Sequence, residues 1–134
     1  MARLLLVDDN AQLLGFYKLV LEEAGHEVRT AEMCTRAVEL LEEMDPEIVI
    51  MDLRVPEVRD GLGLIRAVKD RPRPDGKPPA KVVVLSGWTG DLEAAAERDC
   101  VDRLLPKPMR IEVLLRSIAE LGLALILPLG AASL

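Results

Sequence analysis

Short apolar runs alternate with helix-period segments five times along this chain, and nothing else in it restricts the fold so much. Arg3–Val7, Glu27–Ala31, Glu47–Met51, Lys81–Leu85 and a stretch near Asp102–Leu105 read as strands. Runs such as LLLV, IVIM and VVVL are apolar at every position, which suits a parallel sheet covered on both faces. The first helix is expected over about Asn10 to Ala24, with Leu13, Leu14, Tyr17, Val20, Leu21 and Ala24 on one face and Gly25 as its stop. Thr35 is the expected N-cap of a second helix with the stripe Ala37, Leu40, Leu41 and Met44, broken by Pro46. A loop holding Pro56 and Gly61 leads to a third helix carrying Leu64, Ile65 and Val68. DRPRPDGKPPAK, from Asp70 to Lys81, has four prolines and one glycine and reads as a solvated loop. A fourth helix is expected from about Asp91 to Arg98, and a fifth through Ile111, Leu114, Leu115 and Ile118, with Gly122 as its stop. The pattern (βα)₅ implies an α/β fold of three layers, doubly wound, in a single domain.

Composition excludes several functions. The formal charge is −6 with no Lys/Arg cluster, so no direct nucleic-acid partner is expected. Phe16, Tyr17 and Trp88 are the only aromatics, too few for a platform that stacks single-stranded bases. His26 is the only histidine, which removes histidine-cluster metal sites, and its place at the amino end of the sheet suggests a non-catalytic surface residue. Cys34 and Cys100 lack metal-site spacing, and with no secretory signal read at the N-terminus they suit reduced thiols in a cytoplasmic protein. No apolar run reaches the ~20 residues of a spanning helix, so no membrane association is expected.

In an open parallel sheet the functional crevice lies at the carboxyl ends of the strands. Asp8 and Asp9 follow the first strand, Asp52 the third, Ser86 the fourth, and Lys107 the fifth, between Pro106 and Pro108. Three carboxylates driven together repel unless a cation sits among them. Mg²⁺ suits the place, because it takes a few carboxylates, keeps waters and draws phosphate oxygens into its shell. Lys107 adds a second positive charge, and Ser86 a hydroxyl for an anion. Such a set is suited to placing a phosphoryl group on an aspartate. Taken singly, Asp8–Asp9 would be a turn or helix cap, Ser86 a cap and Lys107 a surface residue.

LLLVDDN at 4–10, IVIMDLRVP at 48–56 with Asp60–Gly61, VVVLSG at 82–87 and LLPKP at 104–108 together resemble the receiver domains of bacterial two-component response regulators. The resemblance spans about residues 3 to 120. It implies a flavodoxin-like sheet in the order 2-1-3-4-5. It implies that Asp52 takes a phosphoryl group from a sensor histidine kinase or phosphotransfer protein and signals through a downstream output protein. Asp9 would ligate Mg²⁺ directly, Asp8 mainly through water, and Asp52 and the backbone carbonyl of Arg54 would complete the shell. Ser86 and Lys107 would hold phosphoryl oxygens, and Lys107–Pro108 would be cis. Apart from forming and losing its own aspartyl phosphate, the chain is not expected to be an enzyme.

Some positions depart from the family pattern. Leu104 stands at the switch position, three before the lysine, where an aromatic ring is common, so a ring-rotation relay is in doubt. The loop after Asp52 reads as one residue longer, with Glu57, Val58 and Arg59 before Asp60. Arg54 and Trp88, two beyond Asp52 and Ser86, suggest a shielded acyl phosphate. A phosphate-independent interaction module is the alternative, supported by Leu104 alone. A flavin site would not put Asp8–Asp9 in its phosphate loop, and a haloacid-dehalogenase-type phosphatase would want Asp-x-Asp where the chain has Asp-Asp-Asn. Residues 1–122 are read as the receiver and 123–134 as an apolar tail without an output domain. The uncharged tail LGLALILPLGAASL is expected to place residues 123–129 on the face of the fourth helix, fifth strand and fifth helix, within one subunit or across a homodimer.

Overall fold

Consecutive apolar residues of the inner strands serve two different cores. The computed structural model describes residues 2–87 and 90–126. β1 (Arg3–Val7), β2 (Glu27–Ala31), β3 (Ile48–Asp52), β4 (Lys81–Ser86) and β5 (Arg103–Pro106) form one sheet in the order β2-β1-β3-β4-β5, with every pair parallel. α1 (Ala11–Glu23) and α5 (Ile111–Ile126) cover one face. There Leu4, Leu6, Ile48, Ile50, Val83 and Leu85 meet Leu14, Leu21, Leu114 and Ile118. α2 (Cys34–Met44), α3 (Val58–Asp70) and α4 (Gly90–Glu93) cover the other. Leu5, Val7, Val49, Met51, Val82 and Val84 face that side, against Leu40, Leu41, Leu64, Ile65 and Leu92. Side chains alternate across a strand, so a strand covered on both faces is apolar at every position. β2, at an edge, is buried only at Val28 and Ala31.

Several boundaries differ from the sequence-based expectation. α2 begins at Cys34, with extended Met33 at its cap position and no side-chain cap bond, so Thr35 lies inside the helix. α3 begins at Val58, which turns the apparent loop residues Val58, Arg59 and Gly61 into its first turn. Glu57 and Asp60 form a capping box there, the Glu57 N–H donating to Asp60 Oδ2 at 3.2 Å. Gly61 is required by packing, since a Cβ at this position would stand 2.0 Å from the Leu53 carbonyl oxygen. The fourth helix is shorter than expected: α4 ends at Glu93 and a 3-10 turn covers Ala96–Cys100. Leu92 is the only fully buried residue of Gly90–Cys100, so helix propensity in Ala94–Ala96 has no apolar face to reinforce it. Gly25, at φ 98°, ends α1 as expected. Gly122 does not end α5, which continues to Ile126. The expected docking of residues 123–129 lies outside the described side chains.

The proline-rich segment is not merely solvated. Arg73 is buried, donating from Nε to Asp45 Oδ1 at 3.0 Å and from Nη1 to the Pro78 carbonyl at 3.2 Å. Arg71 Nη1 reaches the same Asp45 oxygen at 2.9 Å, and Arg3 Nε donates to the Asp45 carbonyl at 3.0 Å. Asp45 caps α2 at φ 47°, a left-handed conformation that Asp tolerates better than most residues. The Arg73 hydrogen bond, then that of Arg71, hold its carboxyl down at about 2 despite burial. His26 is half-buried, and its Nδ1 accepts the Ala2 N–H at 3.1 Å.

Candidate functional site

The expected site residues stand at the carboxyl edge of the sheet. β1 runs out of its core into Asp8, which is buried, and the Asp8 N–H still donates to the Ala31 carbonyl at 3.1 Å. Asp8 Oδ1 accepts the Asn10 N–H at 2.9 Å, and Asn10 in turn caps α1 by accepting the Leu13 N–H at 3.1 Å. Cap and acid are thus separate residues: Asn10 closes the helix, leaving Asp8 and Asp9 for the crevice. Asp9 is exposed and Asp52, at the end of β3, half-buried. Carboxylate oxygens of Asp8, Asp9 and Asp52 all lie within 4.8 Å of one another.

β5 delivers the cation. Lys107 Nζ donates to Asp52 Oδ2 at 2.9 Å and approaches Asp8 Oδ2 at 3.5 Å. Its backbone N–H donates to the Ser86 carbonyl at 3.0 Å, which ties the buried Ser86 at the end of β4 to the same corner. Lys107–Pro108 is cis, as expected, and Val55–Pro56 is cis as well. Burial lowers the Lys107 pKa, but the Asp52 hydrogen bond and the charges of Asp8 and Asp52 outweigh it and hold the ammonium above the usual lysine value. Burial pushes the Asp8 carboxyl up, helped by the Asp52 charge and opposed by the Asn10 N–H and Lys107. Three carboxylates against one ammonium leave an excess of two negative charges, the charge a divalent cation cancels. The donor set therefore fits a hard divalent ion.

Arg54 joins this site to its surroundings. Its backbone N–H donates to Asp52 Oδ1 at 3.1 Å, and its guanidinium pairs with Asp91 of α4 at 2.7 Å. Sequence reading singled out Arg54 but not Asp91, which lies 37 residues away and carries no motif. Trp88 lies outside the described residues, and the expectation of a phosphate shielded by Arg54 and Trp88 lies there with it. Leu104 is 37% exposed in β5, paired with Val84. A cavity of about 480 Å³ opens beside Lys107, lined by Leu13, Tyr17, Lys107, Pro108 and Met109. No motif marks this cavity; it arises where α1 passes the turn after β5.

The family model for the response regulator receiver domain matches residues 4–119. The chain belongs to this family. Phosphorylation on an aspartate by a sensor kinase is the general function of such receivers in two-component systems. The virulence transcriptional regulatory protein PhoP of Salmonella typhimurium is 36% identical over 112 residues, covering 84% of this chain and 48% of that protein. The transcriptional regulatory protein PhoP of Escherichia coli is 34% identical over 110 residues, covering 82% of this chain and 47% of that protein. The receiver thus spans about half the length of these relatives. Among solved structures, the chemotaxis response regulator CheY4 of Vibrio cholerae superposes with a TM-score of 0.76 at 25% identity, covering 90% of this chain and 98% of that one. A CheY-like receiver domain from Methylobacillus flagellatus shares the fold, with a TM-score of 0.77 at 24% identity over 90% of this chain and 98% of that one. Among the described residues, no helix of this receiver is long and apolar enough to cross a membrane.

Proposed function

We propose that Asp52 is the phosphoryl acceptor and that Asp8, Asp9, Asp52 and the Arg54 carbonyl hold Mg²⁺ for the transfer. The observation that carries this reading is the Lys107–Asp52 contact of 2.9 Å inside the cluster of three carboxylates. Bound Mg²⁺ would supply charge neutralisation at the transferring phosphoryl oxygens. The chain's own residues do the rest. An Asp52 carboxylate oxygen attacks phosphorus of a phosphohistidine, a P–O bond forms, the P–N bond breaks, and its electron pair stays on the imidazole. Lys107 keeps its proton and pairs with a phosphoryl oxygen, while the Ser86 hydroxyl donates to another. Asp8 orients the first turn through Asn10 and carries charge into the buried side of the site.

The donor is a sensor histidine kinase or a phosphotransfer protein, and the phosphorylated receiver acts on an output protein or domain. The cavity beside Lys107 and the exposed Phe16 and Leu19 of α1 support an approach of the donor over α1. Apart from its own aspartyl phosphate chemistry, the receiver turns over no substrate, and its site belongs in the cytoplasm, where such kinases present phosphohistidine. Incubation with acetyl phosphate and Mg²⁺ should add one phosphoryl group by intact mass, and Asp52→Asn should abolish the gain. A wild-type mass gain in Asp52→Asn would assign the acceptor elsewhere. The exposed Leu104 at the switch position favours a second reading, a module whose partner binding ignores phosphate. Under that reading Asp52→Asn would bind its partner as wild type does with and without acetyl phosphate.

A further inference from the structure

The Arg54–Asp91 ion pair spans two elements that the phosphoacceptor reading treats separately. Residue 54 touches the Asp52 carboxylate through its N–H at 3.1 Å, on Oδ1, the oxygen opposite the Lys107 contact on Oδ2. Its guanidinium meets Asp91 of α4 at 2.7 Å. The Arg54 side chain is 60% exposed and has room to move, whereas Asp91 on α4 is 21% exposed. The segment it holds is weakly anchored: α4 spans Gly90–Glu93, only Leu92 is fully buried, and the following 3-10 turn is tied to α3 by Arg66–Glu97. At the position where the family carries a switching ring, Leu104 offers only an aliphatic side chain.

We propose that Arg54–Asp91 is a charge latch that phosphorylation opens. The inference rests on the reading of Asp52 as acceptor. Before transfer, the guanidinium chooses between Asp91 and a carboxylate already paired with Lys107, and it takes Asp91. After transfer, the same place carries a phosphoryl group with close to two negative charges and three strong acceptor oxygens, a better partner for a planar guanidinium than one carboxylate. Arg54 swings to it, Asp91 loses its partner, and the segment from Gly90 to Cys100 loosens. The signal to α4 is then carried by exchange of an ion-pair partner and needs no aromatic ring. Because coupling is reciprocal, removing Asp91 must strengthen phosphoryl binding by the factor with which the phosphoryl group weakens the latch.

Beryllofluoride with Mg²⁺ serves as the phosphoryl probe, read by hydrogen exchange and equilibrium titration on the full chain. In the wild type, saturation should speed exchange in residues 90–100. Asp91→Asn should exchange fast there without the probe and show little further change on adding it. The same variant should bind beryllofluoride on the order of 2–5-fold tighter, the factor expected of a partly exposed ion pair. In an Arg54→Ala background, Asp91→Asn should leave the affinity unchanged. Unchanged exchange in the saturated wild type overturns the latch, as does an affinity gain from Asp91→Asn that persists without Arg54. Absence of beryllofluoride binding in every variant, with no mass gain from acetyl phosphate, overturns the acceptor reading and the latch with it.

Discussion

Asp8 and Asp9 are neighbours in the chain with opposite surroundings. Asp8 is buried at the end of β1, bonded to the Asn10 N–H and close to Lys107, whereas Asp9 is exposed beside it. Exposed Asp9 can turn an oxygen to an ion without breaking the bonds that Asp8 already makes to the Asn10 N–H and Lys107. Mg²⁺ affinity should therefore fall further in Asp9→Asn than in Asp8→Asn, measured by titration of the fluorescence of the sole tryptophan, Trp88. Equal losses would remove that division of labour. Asp9→Asn also relieves repulsion in the ion-free cluster, and its melting temperature without Mg²⁺ should equal or exceed the wild-type value. The gain is bounded at about 1 kcal/mol for an exposed charge. A clear fall in that melting temperature would mean that Asp9 holds structure rather than an ion.

At the scale of elements, α3 and the α2 cap show how much the site depends on chain outside it. Gly61 lets the first turn of α3 rest on the Leu53 carbonyl, in the loop directly after Asp52. A methyl group there has no flexible neighbour to push aside. Gly61→Ala should destabilise the fold by about 1–3 kcal/mol in urea and slow phosphorylation of Asp52 more than a matched Gly63→Ala, whose Cβ meets open space. Equal effects of the two substitutions would refute this account. At the opposite edge, Asp45 gathers Arg3, Arg71 and Arg73. Its carboxyl titrates at about 2 in the folded chain against 3.8 for an ordinary aspartate. A lowered folded pKa stabilises the protein above the ordinary value, and that contribution is lost as pH falls from about 4 to about 2. Asp45→Asn, which keeps a residue suited to the left-handed cap, should lose about 1 kcal/mol at neutral pH after solvent screening. The difference from wild type should vanish near the bottom of that window, measured by urea unfolding. A difference independent of pH would assign the effect to the cap conformation instead of the charge.

For the whole molecule, ion binding and folding are linked, because the three carboxylates meet only when β1 and β3 lie side by side. An ion that binds the folded chain alone stabilises it by mass action, by about 2.7 kcal/mol at a hundred times its Kd. Mg²⁺ should raise the melting temperature of the wild type in a concentration-dependent way, and chelation should reverse the rise. Asp52→Asn should blunt it. An equal rise in wild type and Asp52→Asn would show that the ion acts elsewhere on the acidic surface.

The architecture was legible in the sequence because its cause is local and repeated. Strands apolar at every position require cover on both faces, and LLLV, IVIM and VVVL are each followed by a helical stripe that can supply it. The strand-end acids, Ser86 and Lys107 were legible for the same reason, since each directly follows a run whose end is readable. Asn10, by contrast, takes the capping duty that Asp8 or Asp9 alone could have filled, and only the hydrogen bonds at Asp8 Oδ1 and Leu13 N–H separate these roles. Helix ends misled wherever packing outweighed propensity. Gly61 reads as a loop residue until the Leu53 carbonyl is seen beneath it, and Ala94–Ala96 reads as helix although none of the three is fully buried. Contacts between distant side chains were decided by tertiary structure alone. Arg54 with Asp91, and Asp45 with Arg71 and Arg73, are charges separated by tens of residues, and no spacing rule pairs charges that only the completed sheet brings together.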